Sequence, residues 1–356
     1  MNKMNNLWLI CFSCLTLVFA GCDDDDAPET PAEGNKGVLL INQGNLSQGN
    51  GSIDIYFPES KEITQNAYTV TNGEPMNGII ENVSIDNDDL VITVNEYSGA
   101  GRVIFAQAAT LEKADQYSSA GAYENFYSPR YAAFTNNRVF LSVWGPFENG
   151  YELHKSSVAV FNRSSHQLEK SIPVPSGAEG ILADGTNIWV ANSYTDTITI
   201  INTGTLEIDR KFKSVRGTSK ILEAPNGKIW TLAGDTISRY NPSTFALESK
   251  IKLPGRAAKW QFVGDQLYFL TQAYSDDYTT TYNNLYSLDI NQEGAQPQQI
   301  LEMDDAGLFW VDAETGEIYL GVAAGADPGT LLRLSADGAE LDRKPAGVFP
   351  QQFLSR

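Results

Sequence analysis

Short runs of aliphatic and aromatic residues alternate with tight polar turns along this chain, and the same phrase returns seven times. The runs are Val38-Leu39-Leu40-Ile41, Leu90-Val91-Ile92-Thr93, Val139-Phe140-Leu141-Ser142, Ile188-Trp189-Val190-Ala191, Ile229-Trp230-Thr231-Leu232, Leu267-Tyr268-Phe269-Leu270 and Ile318-Tyr319-Leu320-Gly321. Turn residues precede each, as in Asp86-Asn87-Asp88-Asp89 and Asn226-Gly227-Lys228. A loop and a second strand of period 2 follow, clearest in Thr197-Ile198-Thr199-Ile200-Ile201. The period is roughly 40 to 50 residues, the range of four-stranded propeller blades. One blade cannot bury both its faces, whereas seven set radially bury each other's. The pattern predicts an all-β protein, a seven-bladed β-propeller of four-stranded antiparallel blades over residues 37–356.

With strands labelled a to d from the axis outward, the best-preserved block reads Gly180–Ala183 (a), Ile188–Ala191 (b), Thr197–Ile201 (c) and Ile208–Lys213 (d). The chain enters at Gly37 with a b-type strand. Its last segment, Gly347 to Arg356, fits the missing innermost strand of the first blade. The C-terminal strand is therefore expected to close the ring and remove an open sheet edge.

Residues 1–21 read as a leader rather than part of the fold. Lys3 precedes the apolar run Leu7 to Ala20, which is short for a membrane span. The run ends in Phe19-Ala20-Gly21-Cys22, which resembles the bacterial lipobox and implies lipidation of Cys22. Residues 22–36 continue with Asp23-Asp24-Asp25-Asp26 and a Pro/Glu-rich stretch that has almost nothing to bury, a disordered tether. An acidic run after a lipidated cysteine resembles the export signal of Bacteroidetes-type surface lipoproteins. A solvated spacer is the bland alternative.

Charge narrows the partners. With 25 basic and 44 acidic residues the net charge is −19, so a nucleic acid is not an expected partner. Of 3 cysteines, Cys11 and Cys14 fall in the leader, leaving Cys22 and no disulfide for the fold. The histidines, His154 and His166, fall on opposite faces and make no shared metal site. No nucleophile elbow, phosphate loop or dinucleotide fingerprint occurs, so no cofactor and no enzyme activity are expected.

Candidate chemistry lies in the loops. In a propeller the d–a and b–c loops share one face and the a–b and c–d turns the other. Here the first set is long and aromatic, the second mostly minimal. Tyr97, Trp144 and Tyr194 start b–c loops, Phe147, Tyr151, Tyr274 and Tyr278 lie in the longest ones, and Tyr127 lies in a d–a loop beside Phe126. Trp260 is placed at the head of an a strand. Such side chains offer contact area with a polar handle, and long loops on a rigid scaffold are where recognition usually sits. Packing between loops is the alternative, strongest for Trp260 and Phe126. Arg130, Glu179, Lys220, Lys259 and Gln351 head their a strands, either to read a polar ligand or to close the axis with ion pairs.

The block Ala178-Glu179-Gly180-Ile181, Ile188 to Ser193 and Asp196 to Ile201 resembles the YncE-like seven-bladed propellers. Ile41-Asn42-Gln43-Gly44-Asn45 with Gly51-Ser52-Ile53-Asp54-Ile55-Tyr56 resembles a Bacteroidetes surface-lipoprotein branch of that family, distantly the BtuG-type corrinoid-binding propellers. The resemblance implies an outer-membrane lipoprotein that faces the cell exterior, anchored by lipid alone. It would bind a small nutrient such as vitamin B12 for a TonB-dependent transporter. A propeller enzyme acting on a glycan and a protein-interaction subunit of a surface complex remain alternatives.

Overall fold

Each b strand is a run of five or more residues without a polar alternation, because it is covered on both faces by neighbouring blades. Val38–Asn42 is buried at every position, as are Ile229–Ala233 and most of Arg138–Val143. The outermost strands are mostly exposed instead, as in Glu207–Lys213, where only Ile208 and Phe212 are half-buried. The computed structural model describes residues 37–118, 126–148, 150, 152–274, 281–304 and 306–356.

These residues form seven four-stranded antiparallel sheets. Blade 2 runs Ile79–Asp86 (a), Asp89–Asn95 (b), Gly101–Gln107 (c) and Lys113–Ser118 (d); blade 3 runs Pro129–Phe134, Arg138–Val143, Ser157–Asn162 and Leu168–Pro173. Blade 4 is Ala178–Ala183, Asn187–Asn192, Thr197–Asn202 and Glu207–Lys213; blade 5 is Lys220–Glu223, Ile229–Ala233, Thr236–Tyr240 and Leu247–Lys252. Blade 6 is Arg256–Val263, Gln266–Tyr274, Thr281–Asp289 and Gln298–Asp304; blade 7 is Ala306–Val311, Ile318–Ala324, Asp327–Leu334 and Glu340–Val348. Blade 1 joins both ends of the propeller chain: Pro350–Ser355 (a), then Val38–Asn42 (b), Ser52–Phe57 (c) and Glu62–Thr64 (d).

The closure expected from sequence is present. Val38 pairs with Ser355, Leu39 with Leu354, Leu40 with Phe353 and Ile41 with Gln352. A glutamine then ties the seam to the next blade. Gln352 donates from Nε2 to the Val83 carbonyl at 2.8 Å and accepts the Val83 N–H at 3.0 Å. Gln261 makes the same pair of bonds to Val311 between blades 6 and 7.

The core is divided into seven slabs, one between each pair of neighbouring blades. Period-2 geometry explains the division. Leu39 and Ile41 pack with Ile80, Leu90 and Ile92 of blade 2, while Val38 and Leu40 turn the other way onto Leu308, Tyr319 and Leu331 of blade 7. Trp189 of blade 4 faces Ile221 and Tyr240 of blade 5, and Trp230 of blade 5 faces Leu267 and Phe269 of blade 6. Phe126, weighed above as a binding residue, is fully buried with Phe105 and Phe161 between blades 2 and 3, so it is a core residue.

The segment from Ile41 to Tyr56 forms the joint behind the seam. The buried Asp54 carboxylate accepts the Asn42 side-chain amide at 2.8 Å, the Asn66 N–H at 2.8 Å and the Gly347 N–H at 3.3 Å. Asn66 leads into a short helix, Ala67–Asn72, between blades 1 and 2. Gly44 has φ +84°, and a Cβ there would lie 2.3 Å from the Gly51 nitrogen, so this turn needs glycine.

Candidate functional site

Strand a of blades 2, 3 and 4 carries a charged residue near its start: Glu81, Arg130 and Glu179. Ring order brings them together, with the cation between two acids. Arg130 donates from Nε and Nη2 to Glu179 at 3.2 and 3.1 Å, and its Nη1 pairs with Glu81. Asn95 holds Glu81 from behind at 2.8 Å. Burial works against the charge on Arg130, but the two carboxylates outweigh it and raise its pKa. Burial pushes the Glu179 carboxyl up, against the pull of Arg130 and of the Trp144 indole.

Trp144 lies on this base. Its Nε1 donates to Glu179 at 2.6 Å, and the Arg130 guanidinium sits 4.3 Å from its ring centre. Its backbone is pinned as well: its N–H donates to Ser128 and its carbonyl accepts the Ser156 hydroxyl at 2.7 Å. Phe147 and Tyr194 meet the indole edge-on, with ring centres 6.1 and 5.6 Å away. Gly177, with φ +75°, makes room for Tyr194, since a Cβ there would lie 2.7 Å from that ring. Phe147 is 48% exposed and Tyr194 42%, whereas Glu179 beneath them is 5% exposed. The result is an open aromatic shelf on a desolvated, fixed ionic base.

The remaining sequence candidates divide. Tyr97 is 78% exposed on the b–c loop of blade 2. Tyr127 packs under that loop, within 3.6 Å of a Cβ placed on Gly99. Trp260 is not at the head of its strand. It is the fifth residue of Arg256–Val263, which starts early and carries a bulge between Ala257 and Lys259. It therefore stands in the wall of the axial cavity beside Phe262, below the loop face. Tyr274 ends strand b of blade 6. Its side chain lies outside the described residues, as do Tyr151, Tyr278 and the lipidation candidate Cys22.

Sequence reasoning missed Glu81. The signal was an acid in the apolar stretch Ile79-Ile80-Glu81, in the same slot as Arg130 and Glu179. The ion-pair alternative for the axial ring holds for Arg130 and Glu179. It does not hold for Lys220 and Lys259, which pair with no carboxylate among the described residues. His154 meets Glu152 at 2.8 Å and His166 stacks on Phe105, and no cluster of three metal-ligating side chains occurs among the described residues.

A family model matches residues 36–318. The chain belongs to that family, described as Domain of unknown function (DUF5074). No curated protein matches it. Among solved structures, this family member resembles a quinonprotein alcohol dehydrogenase-like protein from Bacteroides thetaiotaomicron, with TM-score 0.66 and 13% identity over 90% of this chain and 78% of that one. It also resembles a hydrazine synthase of Kuenenia stuttgartiensis, with TM-score 0.60 and 16% identity over 76% and 88%. The Pan2 WD40 domain of Neurospora crassa gives TM-score 0.55 and 12% identity over 78% and 81%. At these identities the likeness is one of fold.

Proposed function

We propose that this protein is a ligand-capture module of the cell surface: a lipid-anchored outer-membrane propeller that binds a small nutrient and passes it to a TonB-dependent transporter. The aromatic shelf carries the reading. Phe147 and Tyr194 are exposed and rest on the half-buried Trp144, whose base is locked by Arg130 and Glu179, so a ligand meets a surface that need not be ordered on binding. Aromatic anchors of this kind dominate recognition energetics elsewhere. The lipobox-like Phe19-Ala20-Gly21-Cys22 supports the anchor, and the likeness to YncE-like and BtuG-type propellers supports a corrinoid as the ligand class. A broad macrocycle with polar edges suits exposed aromatic rings above an ionic floor.

Calorimetric titration with cyanocobalamin tests this. Stoichiometric binding, weakened at least about tenfold by Tyr194→Ser or Phe147→Ser, is expected, since loss of one aromatic hot-spot anchor costs about 2 kcal/mol or more. Absence of binding, or binding indifferent to both substitutions, would overturn the corrinoid assignment and turn the search to glycans.

A further inference from the structure

The seven a strands enclose an axial cavity of about 620 Å³, to which every blade contributes. Its chemistry differs from that of the shelf. Tyr131, Trp260, Phe262 and Trp310 form much of the wall, and two lysines stand in it.

Lys220, at the head of strand a in blade 5, reaches past blade 4 to the Tyr131 hydroxyl and lies 4.0 Å from that ring's centre. Blade 4 allows this because Gly180 presents no side chain between them; a Cβ there would lie 2.7 Å from the Ser219 carbonyl. Lys259, in blade 6, reaches past blade 7 to the Gln351 carbonyl. An ammonium has three donors, and each lysine uses one in these contacts. Neither has a carboxylate partner among the described residues.

The acids of the lining do not supply one. Glu81 is taken by Arg130 and Asn95, and acts on both lysines only at a distance. Glu223 is exposed at the other end of the Lys220 strand, roughly 10 Å along it at strand geometry. Burial pushes Lys220 well below the usual lysine range, with Lys259 and Arg130 repelling its charge, and burial pushes Lys259 down to about 8. Two half-buried cations in one cavity without a carboxylate partner among the described residues are unfavourable in the empty protein. That they occur inside a chain of net charge −19 points to an anion that joins them.

We propose that the axial cavity is a binding site for a small oxyanion, a phosphate or a small carboxylate, held between the ammonium groups of Lys220 and Lys259. The spare ammonium donors bond the oxygens, and the cavity is large enough to admit the anion. The cavity shares Glu81 with the base of the aromatic shelf but none of the shelf's rings, so the lysine variants and the ring variants test the two readings independently.

The test is thermal unfolding and calorimetry of the purified protein with inorganic phosphate and with succinate, at ionic strength held constant with chloride. The expected result is a rise in melting temperature with one or both probes beyond that of chloride. The probe that acts assigns the anion class. Lys220→Met/Lys259→Met should fold with a melting temperature at or above that of the ligand-free parent, and lose the rise. Lys259→Gln alone should weaken binding about tenfold or more, one charge-assisted bond's worth. No rise with either probe, or an equal rise in the lysine variants, would overturn the assignment.

Discussion

Glu179→Ala is the sharpest probe of how the shelf is built. The carboxylate is buried and accepts three donors: two from Arg130, at 3.2 and 3.1 Å, and one from Trp144, at 2.6 Å. Removing one partner of a buried pair costs about 3–5 kcal/mol when the other is stranded. Arg130 keeps Glu81, which reduces that share, while the Trp144 indole loses a charge-assisted bond of about 1.5–3 kcal/mol. Together these give about 3 kcal/mol. For a chain of this size that is a fall of roughly 5 °C or more in melting temperature. Urea unfolding followed by circular dichroism measures the first figure and a thermal scan the second. Cyanocobalamin affinity should fall too, because Trp144 loses its floor. A stability loss under about 0.5 kcal/mol, the scale of a neutral surface change, would refute the ionic base as a buried network.

Phe353→Ala removes the buried ring at the centre of the ring-closing strand and should cost about 3–5 kcal/mol, read as a lower urea midpoint in a single transition. Gly44→Ala forces a Cβ into the Gly51 backbone at a positive φ and should destabilise by at least about 2 kcal/mol in the same assay. Burial pushes Lys259 down to about 8, with Glu81 opposing it, whereas an unfolded lysine titrates near roughly 10.4. Between those values the unfolded chain holds a proton that the folded one has lost, so stability should rise with pH across that window. Lys259→Met should flatten the rise in urea midpoints.

The blades were legible in the sequence because each is a local phrase: a turn, an apolar b strand, and an alternating c strand. The closure was legible because a strand was missing at one end and spare at the other. The shelf was partly legible, since Trp144, Phe147 and Tyr194 all sit at or near the start of b–c loops. Their floor was less so. The link from Glu81 through Arg130 to Glu179 depends on three strands separated by 49 residues each, brought side by side only by ring order. Trp260 was misplaced because a bulge and an early strand start shifted its slot inward. Lys220 and Lys259 resembled members of an ion-pair ring by position, but their reach past a neighbouring blade is set by Gly180 and by cavity shape, which no local pattern encodes.

Hydrogen-exchange footprinting of the purified protein with and without cyanocobalamin tests the capture reading most directly. The expected result is protection in the b–c loops of blades 2, 3 and 4, around Tyr97, Trp144 to Phe147 and Tyr194, with the a–b and c–d turns unchanged. Protection confined to the opposite face, or none under saturating ligand, would contradict it.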